Sequence, residues 1–139
     1  MKVAINACYG GFNLSNEAIK RYAEIKGIEI YFITPRHPHD YSCKEYLYYE
    51  DVINASSFNV FTVTKPLKDG IYDRDSWFTD RDIPRDDPAL IQVVEELKES
   101  ANGSCAELCI IEIPDGTDWQ IEEYDGFEHI AEKHQTWGS

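Results

Sequence analysis

The sequence predicts an α+β fold: a mostly antiparallel sheet, two main helices packed on one of its faces, and a C-terminal β-meander. Three observations lead there. Two capped helical segments lie far apart in the chain, at residues 16–26 and 88–103. Short β-rich runs occupy both ends. An Asp-Gly pair at 125–126 separates two alternating runs, which is the strongest short-range hairpin signal.

Each element has a local reason. "KVAINAC" (residues 2–8) reads as a first strand. "SNEAIKRYAEIK" reads as a helix: Ser15 suits the N-cap, Ala18, Ile19, Tyr22 and Ala23 make one apolar face, and Gly27 stops it. "IEIYFIT" (28–34) is rich in β-branched and aromatic residues and gives a second strand, so the chain starts β-α-β. Residues 35–70 are loosely patterned. "PRHPHD" is a loop, "EYLYYEDVIN" fits either helix or strand, and "FNVFTVT" (58–64) alternates like a strand. In "RDDPALIQVVEELKESANG", Asp87 caps a second helix and Pro88 takes its first position. Leu90, Val93, Val94, Leu97 and Ala101 form the buried stripe, and Gly103 closes the segment. "ELCIIEI", "DWQIEEY" and "FEHIAEKH" then give the meander, with a short helix over 127–134 as the alternative for the last run.

A chain of 139 residues, 42% hydrophobic and 13% aromatic, suits a single domain spanning 1–139 with one core and is not a disordered protein. No stretch approaches the ~20 apolar residues of a membrane span, so no membrane partner is expected. "MKVAINACYGG" turns polar too soon for a signal peptide, which places the chain in the cytosol with reduced thiols. Of the cysteines, only Cys105 and Cys109 are close in sequence, and His37, His39 and Cys43 add a second loose group; neither spacing defines a metal site, and no metal or other cofactor is expected. Cys109 reads as an inward strand residue. The net charge of −13, from 26 acids against 13 bases, repels nucleic acid and anionic membrane. A small anionic ligand remains compatible, because a pocket needs only two or three well-aimed cations.

Two constellations bear on binding. In "CYGGFN", Tyr9, Gly10, Gly11, Phe12 and Asn13 precede a helix N-terminus, where backbone N–H groups can meet an anion and the aromatics can stack on a flat ring. The loop is neither a Walker loop nor a dinucleotide fingerprint, and a tight turn with two aromatic anchors explains it equally well. In "DRDSWFTDRDIPRDDP" (73–88), Arg74, Arg81 and Arg85 stand among six aspartates with Trp77 alongside. Arginine forks bind phosphate and stack on bases, so this segment suits a nucleotide; the alternative is a solvated loop of local Asp-Arg pairs. The acidic end, with Glu112, Asp115, Asp118, Glu122, Glu123, Asp125, Glu128, Glu132, His129 and His134, could supply acid–base groups, but strand alternation makes most of them solvent-facing. No nucleophile sits in a triad context, and no enzymatic activity is expected.

"INACYGGFNLSNEAI", "RDDPALIQVVEELKESANG" and "CIIEIPDGTDWQIEEYDGFEHIAEKHQTW" resemble a widespread set of small phage and prophage proteins. The resemblance covers both ends, around half of the chain. Size and α+β pattern are similar to those of the Thoeris anti-defence sponges, which bind cyclic ADP-ribose isomers made by bacterial TIR immune proteins without cleaving them. That similarity implies an anti-defence protein of the host bacterial cytosol that sequesters a small anionic nucleotide, with Tyr9 to Asn13, Arg74, Trp77, Arg81 and Arg85 as ligand-binding candidates, and a homo-oligomer, since sponges seat ligand at subunit boundaries. Two rivals are an acidic inhibitor that binds a host defence protein and a small nucleotide-processing enzyme using the carboxylates and histidines of 112–134.

Overall fold

The structure, a computed structural model, describes residues 1–40, 42–49, 60–104 and 106–132. It is an α+β fold in which every strand pair is antiparallel. In chain order the elements are β1 (Lys2–Asn6), α1 (Asn16–Lys26), β2 (Tyr31–Pro35), β3 (Tyr46–Tyr48), β4 (Phe61–Val63), α2 (Pro88–Leu97), β5 (Leu108–Glu112), β6 (Trp119–Tyr124) and β7 (Phe127–Glu132). Among the described residues pairing is spread over three short sheets: β1 with β5, β2 between β3 and β4, and the β6–β7 hairpin. The β1–α1–β2 order therefore does not make a paired unit, because β1 and β2 enter different sheets. No helix among the described residues is long and apolar enough to cross a membrane.

Helix α1 forms as its caps demand. Ser15 Oγ accepts from the Ala18 N–H at 3.1 Å, and Gly27 at φ 69 turns the chain out through the left-handed region. The N–H of Ile28 bonds the Ala23 carbonyl at 2.9 Å, which commits this residue to the helix end and delays β2 to Tyr31 rather than Ile28. β4 is described only from Phe61; residues 50–59, with part of "EYLYYEDVIN" and the start of "FNVFTVT", lie outside the described residues, as do Cys105 and His134.

Helix α2 is capped by Asp87, whose carboxylate accepts from the Ala89 N–H at 2.8 Å and from the Tyr22 hydroxyl at 2.8 Å, with Lys26 Nζ at 3.4 Å. Burial pushes the Asp87 carboxyl up, but the Tyr22, Ala89 and Lys26 donors outweigh it and hold the group below the usual carboxylate value. Tyr22 responds in kind: burial, together with the Asp87 charge, pushes its hydroxyl up to about 12. One cap thus ties both helices together. The α-helix stops at Leu97, where Lys98 takes φ 53, and a 3-10 turn over Lys98–Ala101 finishes the segment short of Gly103.

The core joins the stripe of α2 (Leu90, Val93, Val94) to Ala18, Ile19 and Tyr22 of α1, Ala4 of β1 and Phe32 of β2. Leu97 is only half-buried against it, unlike the other stripe positions, because it is the last α-helical residue before the turn at Lys98. A graded response follows. Leu90→Ala, at a position with no exposure, is expected to cost ~2–5 kcal/mol of unfolding free energy, and Leu97→Ala clearly less, with urea titration of both variants as the check.

Candidate functional site

Asn6, at the end of β1, is fully buried and uses all of its polar groups. Its side-chain Nδ2 donates to the carbonyls of Cys8 and Gly126, both at 2.8 Å, and its Oδ1 accepts from the Glu107 N–H at 2.8 Å. Its own N–H donates to Glu128 Oε1 at 2.8 Å. Glu128 in turn takes a bidentate pair from Arg85, with Nη1–Oε1 at 2.6 Å and Nη2–Oε2 at 2.9 Å. The guanidinium carbon of Arg85 lies 3.6 Å from the centre of the Phe12 ring. Sequence positions 6, 12, 85 and 128 thus meet in one polar cluster.

This cluster pins the β6–β7 hairpin onto the glycine loop. Asp125 and Gly126, at φ 50 and 86, make the two-residue turn that the Asp-Gly pair predicts. The Gly10 N–H donates to the Asp125 carbonyl at 3.3 Å, and a Cβ on Gly126 would run into the amide nitrogens of Gly11 and Gly10. The two loop glycines divide their roles. Gly10, at φ 133, belongs to the docking contact, whereas Gly11, at φ 105, faces open space where a Cβ would meet nothing within 4 Å. The hairpin strand β7 extends to Glu132, so the helical alternative for 127–134 does not hold over the described part.

Where the hairpin meets the loop, a cleft of about 770 Å³ opens, lined by Gly10, Gly11, Phe12, Asn13, Arg81, Arg85, Ser104, Glu123, Asp125, Gly126 and Glu128. That volume suits a small organic ligand. Six of the nine residues singled out in the sequence line it. Tyr9 stands at its edge, 65% exposed, with its ring 5.5 Å from that of Phe127. Arg74 and Trp77 are held elsewhere, because Ser76 and Trp77 bridge to Val63 and Thr64 at β4. Arg74 is exposed there, and Trp77 packs its ring on Phe61 and Tyr72.

The electrostatics differ from a simple anion hole. Arg85 is occupied by Glu128, not by a neighbouring aspartate as a local Asp-Arg loop requires. Arg81 is exposed, and its guanidinium makes no ion pair or hydrogen bond among the described residues. Three carboxylates, Glu123, Asp125 and Glu128, line the cleft against two guanidiniums. The Asn13 carboxamide oxygen is buried without a partner among the described residues and packs on Gly103, where a Cβ would stand, rather than opening into the cleft. Glu128, from a group of acids and histidines of which most were expected to face solvent, is buried, because β7 lies against β1 and turns that side chain toward Asn6 and Arg85. Ser104, Glu123, Asp125, Gly126 and Glu128 were not singled out as ligand-binding from the sequence; the Asp-Gly turn was legible, but not what it docks on.

Other polar groups have separate surroundings. His129 pairs with Glu122 at 2.9 Å on an exposed face outside the cleft lining. Cys109 is half-buried in β5, where burial pushes its thiol up. Among the described residues, no group of three or more His, Cys, Asp or Glu side chains is placed to hold a metal ion. No family model, curated protein or solved structure matches the chain significantly. Function therefore has to be read from the chemistry of the cleft.

Two glycines isolate the docking contact. Gly126 and Gly116 have similar φ values of 86 and 82, but only Gly126 is crowded. Alanine at either position should cost ~1–3 kcal/mol through backbone strain alone. Gly126→Ala should cost more than Gly116→Ala when the melting of the two variants is compared, because it must also lift the hairpin from the loop.

Proposed function

We propose that this chain binds a small nucleotide-type ligand in the cleft and holds it without cleaving it. The observation that carries this reading is the meeting of the glycine loop with Arg81 and Arg85, some 70 residues later, around one cavity of nucleotide size. Gly11 leaves the backbone bare, Phe12 supplies an aromatic wall backed by Arg85, and Arg81 supplies an uncommitted planar cation for phosphate. Retention rather than turnover is supported by how the one buried acid of the cleft is engaged. Glu128 accepts from Arg85 and from the Asn6 N–H, which suits a structural anchor better than a general base.

The resemblance to anti-defence sponges narrows the ligand to a cyclic ADP-ribose-type signal and the setting to a phage-encoded protein in the bacterial cytosol, acting as a homo-oligomer. A second reading, an acidic inhibitor that binds a host defence protein, is favoured by the net charge of −13. One experiment separates the readings. The protein is mixed with cyclic ADP-ribose isomers, freed of unbound ligand, boiled, and the supernatant chromatographed. Intact ligand in the supernatant is the expected result; an altered nucleotide would indicate an enzyme, and none would favour the protein-binding inhibitor. By calorimetry, Arg81→Ala should weaken binding by ~1.5–3 kcal/mol, the range for a hydrogen bond to a charged group. Arg74→Ala, remote from the cleft, should leave affinity unchanged.

A further inference from the structure

We infer that the cleft recognises a ribose-bearing ligand through its hydroxyls, with Glu123 and Asp125 as hydrogen-bond acceptors and Arg81 as the phosphate contact; this rests on the nucleotide-binding reading above. The inference starts from which groups are left uncommitted. Arg85 has both terminal nitrogens on Glu128, so its charge is neutralised within the protein. Of the two cleft arginines, Arg81 is the one whose guanidinium makes no ion pair or hydrogen bond among the described residues. A nucleoside triphosphate would find one available cation and two exposed carboxylates, which is a poor match.

The acceptors tell the other half. Glu123 uses one oxygen on the Gly126 N–H at 3.1 Å and keeps the second available. The Asp125 carboxylate makes no hydrogen bond or ion pair among the described residues. A cleft with surplus acceptors needs a ligand with surplus donors. Vicinal ribose hydroxyls are such donors, and a carboxylate accepting from a ribose hydroxyl is a general solution in nucleotide sites. Repulsion from the phosphate is limited if the sugar lies toward Glu123 and Asp125 and the phosphate toward Arg81.

The test turns on the sign of an effect. Glu123→Gln keeps an oxygen for the Gly126 N–H, and Asp125→Asn tolerates the left-handed φ of 50. Both remove charge without removing size. The probes are cyclic ADP-ribose and AMP, titrated by calorimetry into the parent and both variants, with melting curves to verify folding. If the carboxylates accept ligand hydroxyls, each variant binds about 10-fold more weakly, since a charge-assisted hydrogen bond is lost, and 2′,3′-dideoxy-AMP binds the parent more weakly than AMP. If the carboxylates only repel the anion, the variants bind as tightly as the parent or more tightly, which overturns the inference while the nucleotide-binding reading stands. Binding of AMP with the expected losses, but not of cyclic ADP-ribose, upholds the inference and removes the cyclic ligand. Failure of both probes to bind the folded parent overturns both.

Discussion

Asn6, Glu128 and Arg85 hold together parts of the chain that no sheet joins. Among the described residues β1 pairs with β5, and the β6–β7 hairpin pairs only with itself, so no strand ladder there attaches the hairpin to the rest. Beside the backbone bond from the Gly10 N–H to the Asp125 carbonyl, the attachment runs through side chains: Asn6 reaches the hairpin through the Gly126 carbonyl and the Glu128 carboxylate, and Arg85 closes on Glu128 from the segment leading into α2. All three are shielded from water to the degree that matters. Asn6 is fully buried, and the side chains of Arg85 and Glu128 are 19% and 6% exposed. A buried pair of this kind gains from its extra hydrogen bonds and loses heavily if one partner is removed, because the other is left charged and desolvated.

That cluster also decides what the cleft can do. Because Arg85 is committed to Glu128 and flattened on Phe12, it forms a wall and not a free anion ligand. The cationic role passes to Arg81. The glycine pair is explained by the same geometry: Gly10 meets the Asp125 carbonyl, Gly126 presses on both amides, and Gly11 is left facing open space. One structural demand and one opening for a ligand are met by adjacent residues. A tight turn and a binding loop are here the same stretch of backbone.

Much of the fold was legible because its signals are local. Ser15, Gly27, Asp87 and Pro88 act at the helix ends where they were expected, and Asp125-Gly126 makes its turn. The site was legible only in part. Gly10 to Asn13, Arg81 and Arg85 were found because a double glycine precedes a helix and arginines crowd one segment, but Arg74 and Trp77 share that chemistry and were drawn away by the bridge to β4. Strand alternation did not single out Glu128 from the other acids of its group, most of which it reads as solvent-facing. Alternation cannot show that β7 lies against β1, nor that a carboxylate 43 residues beyond Arg85 is its partner. Long-range pairing of this sort leaves no spacing in the sequence.

The central claim is that the Arg85–Glu128 pair is the fastening between hairpin and core, and a double-mutant cycle on folding stability tests it most directly. Arg85→Met, Glu128→Met and the double variant would be unfolded in urea at neutral pH. A fastening predicts that either single change costs about 3–5 kcal/mol and that the double change costs much less than the two together, since each single change strands a buried charge. Additive losses, with each single change costing under about 1 kcal/mol as for an exposed pair, would contradict it and leave the cleft without the support described here.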